Sequence, residues 1–249
     1  MEILNKIIKA ICIIIGILVL GLFLFHLAQM NRVFGTKSTD LVNPKTQSLE
    51  EILENSDEIT MEKKLLSIRK HYYIMSDGVL VGEITGKLFP FFGDVLELKD
   101  IHGNLIKKES QIKRLGLTQV KLFNLSIDRL AQIEDENNNV TGYIGEEKLR
   151  DLWKLKRIQH FYDGDYQKKG TGKADSFIFC KDYKIFDNDN NKDYVIDGNF
   201  FSPTSRYTID IIDNTEVSVE DAIFFTIIEN SIISSKLKES SSNSSSGKK

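Results

Sequence analysis

The stretch KIFDNDNNKDYVID, Lys184 to Asp197, sets Asp187, Asp189, Asn191 and Asp193 at every second position. Oxygen-bearing side chains at that spacing are how an EF-hand loop gathers its calcium ligands. A loop starting at Asp187 would need glycine at its sharp turn and a bidentate glutamate at its end. Lys192 and Gly198 stand there instead, and the flanks KIF and YVI have the character of strands where helices are required. These residues therefore read as a turn between two strands. A second stretch, QKKGTGKAD from Gln167 to Asp175, carries the Gly172-Lys173 pair of a phosphate loop. Such a loop also needs glycine where Gln167 stands, a hydroxyl residue where Ala174 stands, and a helix afterwards. Strand-like SFIFC follows, so a mobile basic loop is expected.

Little else has the spacing of chemistry. His71, His102 and His160 are scattered singly, and Cys12 and Cys180 lie far apart. Neither a zinc site nor an internal disulfide is expected. Cys180 sits in an apolar run without a serine- or cysteine-centred motif, so no nucleophile with a base and an orienting group is legible. The expectation is no catalytic, cofactor-binding or metal-binding residue. What remains is charge. Lys148, Arg150, Lys154, Lys156 and Arg157 form the densest basic stretch, and Lys168, Lys169 and Lys173 add to it. Near an anionic leaflet each basic residue contributes about 1 kcal/mol. The first five are the candidate contacts to an anionic surface, and a solvated charged face is the plainer reading of the same residues.

The elements that must hold these residues begin with an apolar run. AICIIIGILVLGLFLFHLA, Ala10 to Ala28, holds no Asp, Glu, Lys or Arg. At ~1.5 Å per residue a helix of this length spans about 28 Å, close to the hydrocarbon thickness of a bilayer. Lys6 and Lys9 precede it, and Arg32 and Lys37 follow. The run exceeds a signal-peptide core, and His26-Leu27-Ala28 is a poor cleavage site. The expectation is an uncleaved single-pass anchor within residues 1–34. The short basic N-terminus would stay in the cytoplasm, which puts the following domain outside. Residues 35–70 read as a partly helical stalk. Ser48-Leu49-Glu50-Glu51 has the form of a capping box, and a second amphipathic piece is expected near Thr60 with Met61, Leu65 and Ile68 on one face. Residues 240–249, SSSNSSSGKK, read as a flexible Ser-rich tail.

Between these flanks, residues 71–239 make one domain. A hydrophobic share of 41% is enough for a core, and a formal net charge of −3 argues against wholesale nucleic-acid binding. YYIM, VLVGEI, DVLELKD, QVKLFNLSI, SFIFC, YKIFD, DYVID and RYTIDIID are short β-branched or aromatic runs, which points to an antiparallel all-β architecture. One helix is expected within GEEKLRDLWKLKRI from Gly145. Three segments share a pattern of Asp, two variable residues, Gly or Asn, then Asn: Asp100, Gly103, Asn104; Asp135, Asn138, Asn139; and Asp187, Asn190, Asn191. Aspartate at the first position accepts turn N–H groups, while Gly and Asn tolerate positive φ, so this is one hairpin device used three times. Finally, Ser218-Val219-Glu220-Asp221 opens a helix, 218–238, whose run AIFFTIIENSII is apolar nearly all round. Such a helix is buried, here by protein, since it is too short to cross a bilayer.

The hairpins, RYTIDIID and the terminal apolar helix resemble the LURP-one-related and tubby C-terminal-like group, whose fold phospholipid scramblases share. The resemblance covers residues 71–239. It implies a mainly β fold, a closed antiparallel barrel of about twelve strands around a central hydrophobic C-terminal helix, here preceded by the N-terminal transmembrane helix. Tubby-like domains bind phosphoinositide headgroups, but no residue pattern here matches their ligand positions. The cysteine-rich and proline-rich segments of scramblases are missing from this chain. The expected function is a membrane-anchored, non-enzymatic binding module that meets lipid headgroups or a protein partner at the membrane surface. The alternative is a membrane-tethered, hydrolase-like enzyme whose site no motif reveals.

Overall fold

The computed structural model describes residues 47–64, 67, 69–86, 95–112, 130–145, 158–174, 182–199 and 205–245. The chain divides into two compact units, Met1–Asn43 and Pro44–Lys249, and every described residue belongs to the second. The expected anchor Ala10 to Ala28 lies outside the described residues, as do the basic stretch Lys148 to Arg157, the helix expected there, QVKLFNLSI and SFIFC. Among the described residues, no helix is long and apolar enough to cross a membrane.

Twelve antiparallel strands close into a barrel: β1 (Glu58–Lys63), β2 (His71–Ser76), β3 (Val79–Gly86), β4 (Val95–Asp100), β5 (Leu105–Ile112), β6 (Leu130–Asp135), β7 (Val140–Gly145), β8 (Ile158–Asp163), β9 (Lys168–Ala174), β10 (Tyr183–Asp187), β11 (Lys192–Asn199) and β12 (Arg206–Ile211). Each strand pairs with the next in sequence, and β1 closes the ring on β12 with Glu58 opposite Asp210 and Glu62 opposite Arg206. The alternation that strands require is plain in β4, where Leu96 and Leu98 are buried, and in β12, where Tyr207 and Ile209 are. Among the described residues two helices complete the unit, α1 (Leu49–Glu54) and α2 (Val219–Ser245). Every residue of α2 from Val219 to Ile227 is buried, more than two consecutive turns, so strands surround the helix on all sides. Phe224, Phe225, Ile227 and Ile232 are shielded as the sequence implies, and Ile228 is half-buried.

The hairpins β2–β3, β4–β5, β6–β7, β8–β9 and β10–β11 all lie at one end, where α1 precedes β1 and α2 follows β12. The three aspartates of the repeated motif work as expected. Asp100 Oδ1 accepts the N–H groups of His102 and Asn104, each at 2.8 Å, and its Oδ2 accepts Asn104 Nδ2 at 2.7 Å. Asp135 does the same with Asn137 and Asn139. Asp187 Oδ1 accepts Asn191 N at 2.7 Å and Oδ2 accepts Asn191 Nδ2 at 2.8 Å. A fourth copy lacks the sequence signature. Asp163 Oδ1 accepts from Asp165 and Gln167, while Tyr166 takes the left-handed position at φ 63° with its ring stacked on Tyr143 at 4.3 Å.

Four expectations are corrected. The stalk over 35–70 does not hold for its described part. Ser48 caps α1 through Glu51 N as the capping box implies, but Leu49 and Leu53 are buried in the barrel core rather than exposed on a spacer. The piece expected to be helical near Thr60 is strand β1, because Ile59 and Met61 alternate into the core while the barrel needs a partner for β12. QKKGTGKAD is mostly strand β9 rather than a loop. A Cβ on Gly172 would meet the Phe225 ring at 2.5 Å, so this glycine lets the wall approach α2, and one on Gly170 would meet Phe186 O of β10 at 2.5 Å and Val217, just before α2, at 2.7 Å. Helix α2 also runs to Ser245, beyond the Ser240 at which a flexible tail is expected.

Candidate functional site

A barrel of this kind has two surfaces on which to build a site, its interior and its outer wall. The interior is occupied by α2 and tied to it by polar pairs. Ser218 Oγ accepts Asp221 N at 3.3 Å at the start of the helix. Lys107 of β5 places Nζ 3.3 Å from Glu220, and Lys169 of β9 places Nζ 3.7 Å from Asp221. Burial pushes the Asp221 carboxyl up, and the two lysines pull it back only in part. Further along, Gln159 donates to Glu229 at 2.9 Å and Asn230 donates to the Tyr72 hydroxyl at 3.1 Å. Tyr194 donates to Val217 O, and burial raises the pKa of Tyr72, Tyr194 and Tyr207. These phenols stay protonated; that of Tyr72 ties α2 at Asn230, and that of Tyr194 ties the chain just before it at Val217.

The outer wall carries a groove of about 180 Å³ over β8, β9 and β10, lined by Ile158, His160, Lys168, Thr171, Lys173 and Phe186, with Asp187, Asn188 and Asn190 at its hairpin edge. Pairing sets this arrangement: Ile158 is opposite Lys173, His160 is opposite Thr171, and Phe186 is opposite Thr171 from the other side. Outward residues of three adjacent strands therefore converge. Thr171 Oγ1 lies 3.5 Å from His160 Nδ1, and both residues are buried. The Lys173 ammonium sits 4.5 Å from the Phe186 ring centre and donates to Asn190 Oδ1 at 3.5 Å. Asn188 Nδ2 donates to Lys168 O at 2.6 Å and pins the hairpin edge. Asp187, the one carboxylate among the described lining residues, has both oxygens engaged by Asn191. The groove is thus lined by two lysines, a hydroxyl and amides, between two apolar walls.

The five candidate surface contacts Lys148, Arg150, Lys154, Lys156 and Arg157 lie outside the described residues. Of the three lysines that accompany them, the register separates one from two. A register shift between Phe161 and Tyr162 leaves Lys169 as the extra residue of a β-bulge, which turns it inward to Asp221. Lys168 and Lys173 remain in the groove. Sequence reasoning missed His160, Thr171 and Phe186. Their signal was the alternation in Gly170-Thr171-Gly172-Lys173, with glycine at the inward positions.

No family model and no curated protein matches the chain. Among solved structures, the chain is similar to the X-ray structure of a protein from Arabidopsis thaliana, with 9% sequence identity and a TM-score of 0.44, over 74% of this chain and 97% of that one.

Proposed function

We propose that this chain is a membrane-anchored, non-enzymatic binding module that meets a lipid headgroup or a protein partner at the membrane surface, and that it is a member of the LURP-one-related and tubby C-terminal-like group. The observation that carries the binding reading is the filled barrel. Helix α2 takes the interior on all sides, so a ligand meets the outer wall or a rim. The run Ala10 to Ala28 supplies a single-pass anchor, with the short basic N-terminus cytoplasmic and the barrel outside.

Charge supports an orientation at the surface. The connections at the hairpin end, residues 77–78, 101–104, 136–139, 164–167, 188–191 and 212–218, contain Asp77, Glu136, Asp165, Asp189, Asp213 and Glu216 but no Lys or Arg. Strand β7 ends and β8 begins at the opposite end, and the basic residues Lys148 to Arg157 stand between them in sequence. An anionic leaflet repels the first rim, and that basic stretch is of the charge it attracts. Two measurements test the reading. On carbonate extraction the full-length chain stays with the membrane pellet and a chain starting at Pro44 is released; recovery of soluble protein cleaved near Ala28 would refute the anchor. Salt-sensitive binding of the full-length chain's barrel to added anionic liposomes weakens with Lys154→Glu plus Arg157→Glu, and indifference to that pair removes the stretch as a contact.

A further inference from the structure

The groove over β8, β9 and β10 has a charge pattern that the barrel does not need. Lys169, one residue from Lys168, has a buried carboxylate to serve. Among the described residues Lys168 and Lys173 have none: the only carboxylate lining their groove there is Asp187, whose two oxygens already accept from the Asn191 backbone and side chain. Two lysines line one depression with the Thr171 hydroxyl and the Asn190 amide, and the Lys173 ammonium is held there beside Asn190 Oδ1. Its volume of about 180 Å³ exceeds that of a bare oxyanion, and Ile158 and Phe186 offer apolar walls to whatever bears it. We infer that this groove binds a phosphate monoester, with Lys168 and Lys173 as its cationic contacts and Thr171 and Asn190 as hydrogen-bonding partners.

The charge count selects the ligand class. A phosphate monoester carries nearly two negative charges at neutral pH and three acceptor oxygens, which matches two ammonium groups; a carboxylate offers one charge and two oxygens. Lysine serves phosphate as a point charge and needs no bidentate geometry. Gly172 sets the strand against Phe225 of α2 and Gly170 sets it against Val217 just before that helix, so the outward residues between and beside them are held on a rigid wall rather than a loop. The same chemistry is presented by a free phosphate monoester and by a lipid whose headgroup ends in one. The inference deepens the binding-module reading, and it is separable from the anchor.

The experiment uses the full-length chain in phosphatidylcholine nanodiscs and reads amide hydrogen exchange in residues 158–173 and 186–191. In one arm glycerol phosphate is added in solution; in the other, phosphatidic acid is included in the disc. Saturable slowing of exchange in the first arm identifies a free monoester as sufficient, and slowing confined to the second identifies the lipid headgroup as the source. Either supports the groove if Lys168→Ala plus Lys173→Ala weakens the response at least about tenfold, Lys168→Arg plus Lys173→Arg retains it, and Lys99→Ala on β4 leaves it unchanged. No response in either arm overturns the inference, as does equal slowing by sulfate or chloride or a wild-type response from the double alanine variant. If the chain fails carbonate extraction but binds glycerol phosphate in neutral detergent, the anchor falls and the groove stands.

Discussion

Asp193 shows what a single bulge does to an acid. The register shift between Ile185 and Phe186 makes Asp193 the extra residue on β11, and its side chain is buried at 2% exposure. Its Oδ2 has no hydrogen-bond partner among the described residues. Burial, followed by the nearby charges of Asp187, Asp213 and Glu216, raises its pKa to about 7. The folded state therefore holds this proton more tightly than the unfolded chain, whose aspartates titrate near 4. Stability from this group is fully present below about pH 4 and is lost as pH rises through about 7. Asp193→Asn keeps the shape without the charge. Its thermal midpoint exceeds that of the natural chain at pH 8, and the difference shrinks on acidification towards pH 4; a gap independent of pH would exclude the titration. Lys107 is the opposite case, a cation whose partner is Glu220 at 3.3 Å and 2% exposure. Lys107→Ala strands that carboxylate in the core and costs about 3–5 kcal/mol, measured by denaturant unfolding. Lys107→Met with Glu220→Leu recovers most of the loss. Asp187 was legible as a turn residue because its neighbours spell the turn. Asp193, in the same stretch, was not, because only the bulge decides where its side chain goes.

Elements in this chain are set by what faces α2. The helix was legible because an apolar run on every side has one physical explanation in protein, and Ser218 marks where it starts. Strand β9 was illegible for the complementary reason. Its inward positions are Gly170 and Gly172, which carry no hydrophobic signal, yet they are glycine because the Phe225 ring crowds one and the Phe186 carbonyl and Val217 side chain crowd the other. The two facts make a paired prediction. Phe225→Ala removes a ring in contact with Phe161 and Tyr183, at centroid distances of 5.5 Å each, and costs about 3–5 kcal/mol. Gly172→Ala forces a methyl group into the same ring and costs about 1–3 kcal/mol by overpacking. Because the two positions touch, the effects are not additive: Gly172→Ala is relieved when combined with Phe225→Leu. Additive losses in urea unfolding would mean that wall and helix are not in contact there.

At the scale of the whole molecule, the N-terminal boundary is where sequence and structure part. A domain beginning at residue 71 is the natural reading, because Glu58 to Lys63 is short and charged at both ends and α1 looks like a spacer. Closure of the ring could not be seen from β1 alone; it depends on β1 completing the gap between β2 and β12. A chain starting at His71 would expose two edges, each a row of unpaired N–H and C=O groups ready to pair with another molecule. It would also lose Ile59 and Met61 from the wall and Leu49 and Leu53 from the core, all buried residues. Leu49 lies so close to Gly82 that a Cβ there would stand 3.2 Å from its Cδ2, so its loss leaves a hole beside β3. Four buried aliphatic side chains at about 1.5–3 kcal/mol each are of the order of a whole domain's net stability. A chain from Pro44 to Lys249 should therefore unfold in one cooperative transition and remain monomeric. A chain from His71 to Lys249 should aggregate, and one ending at Asn214 should do the same because it loses α2. Size-exclusion chromatography with thermal unfolding of the three decides the matter. A folded monomer starting at His71 would mean that β1 is an accessory strand and that the ring holds without it.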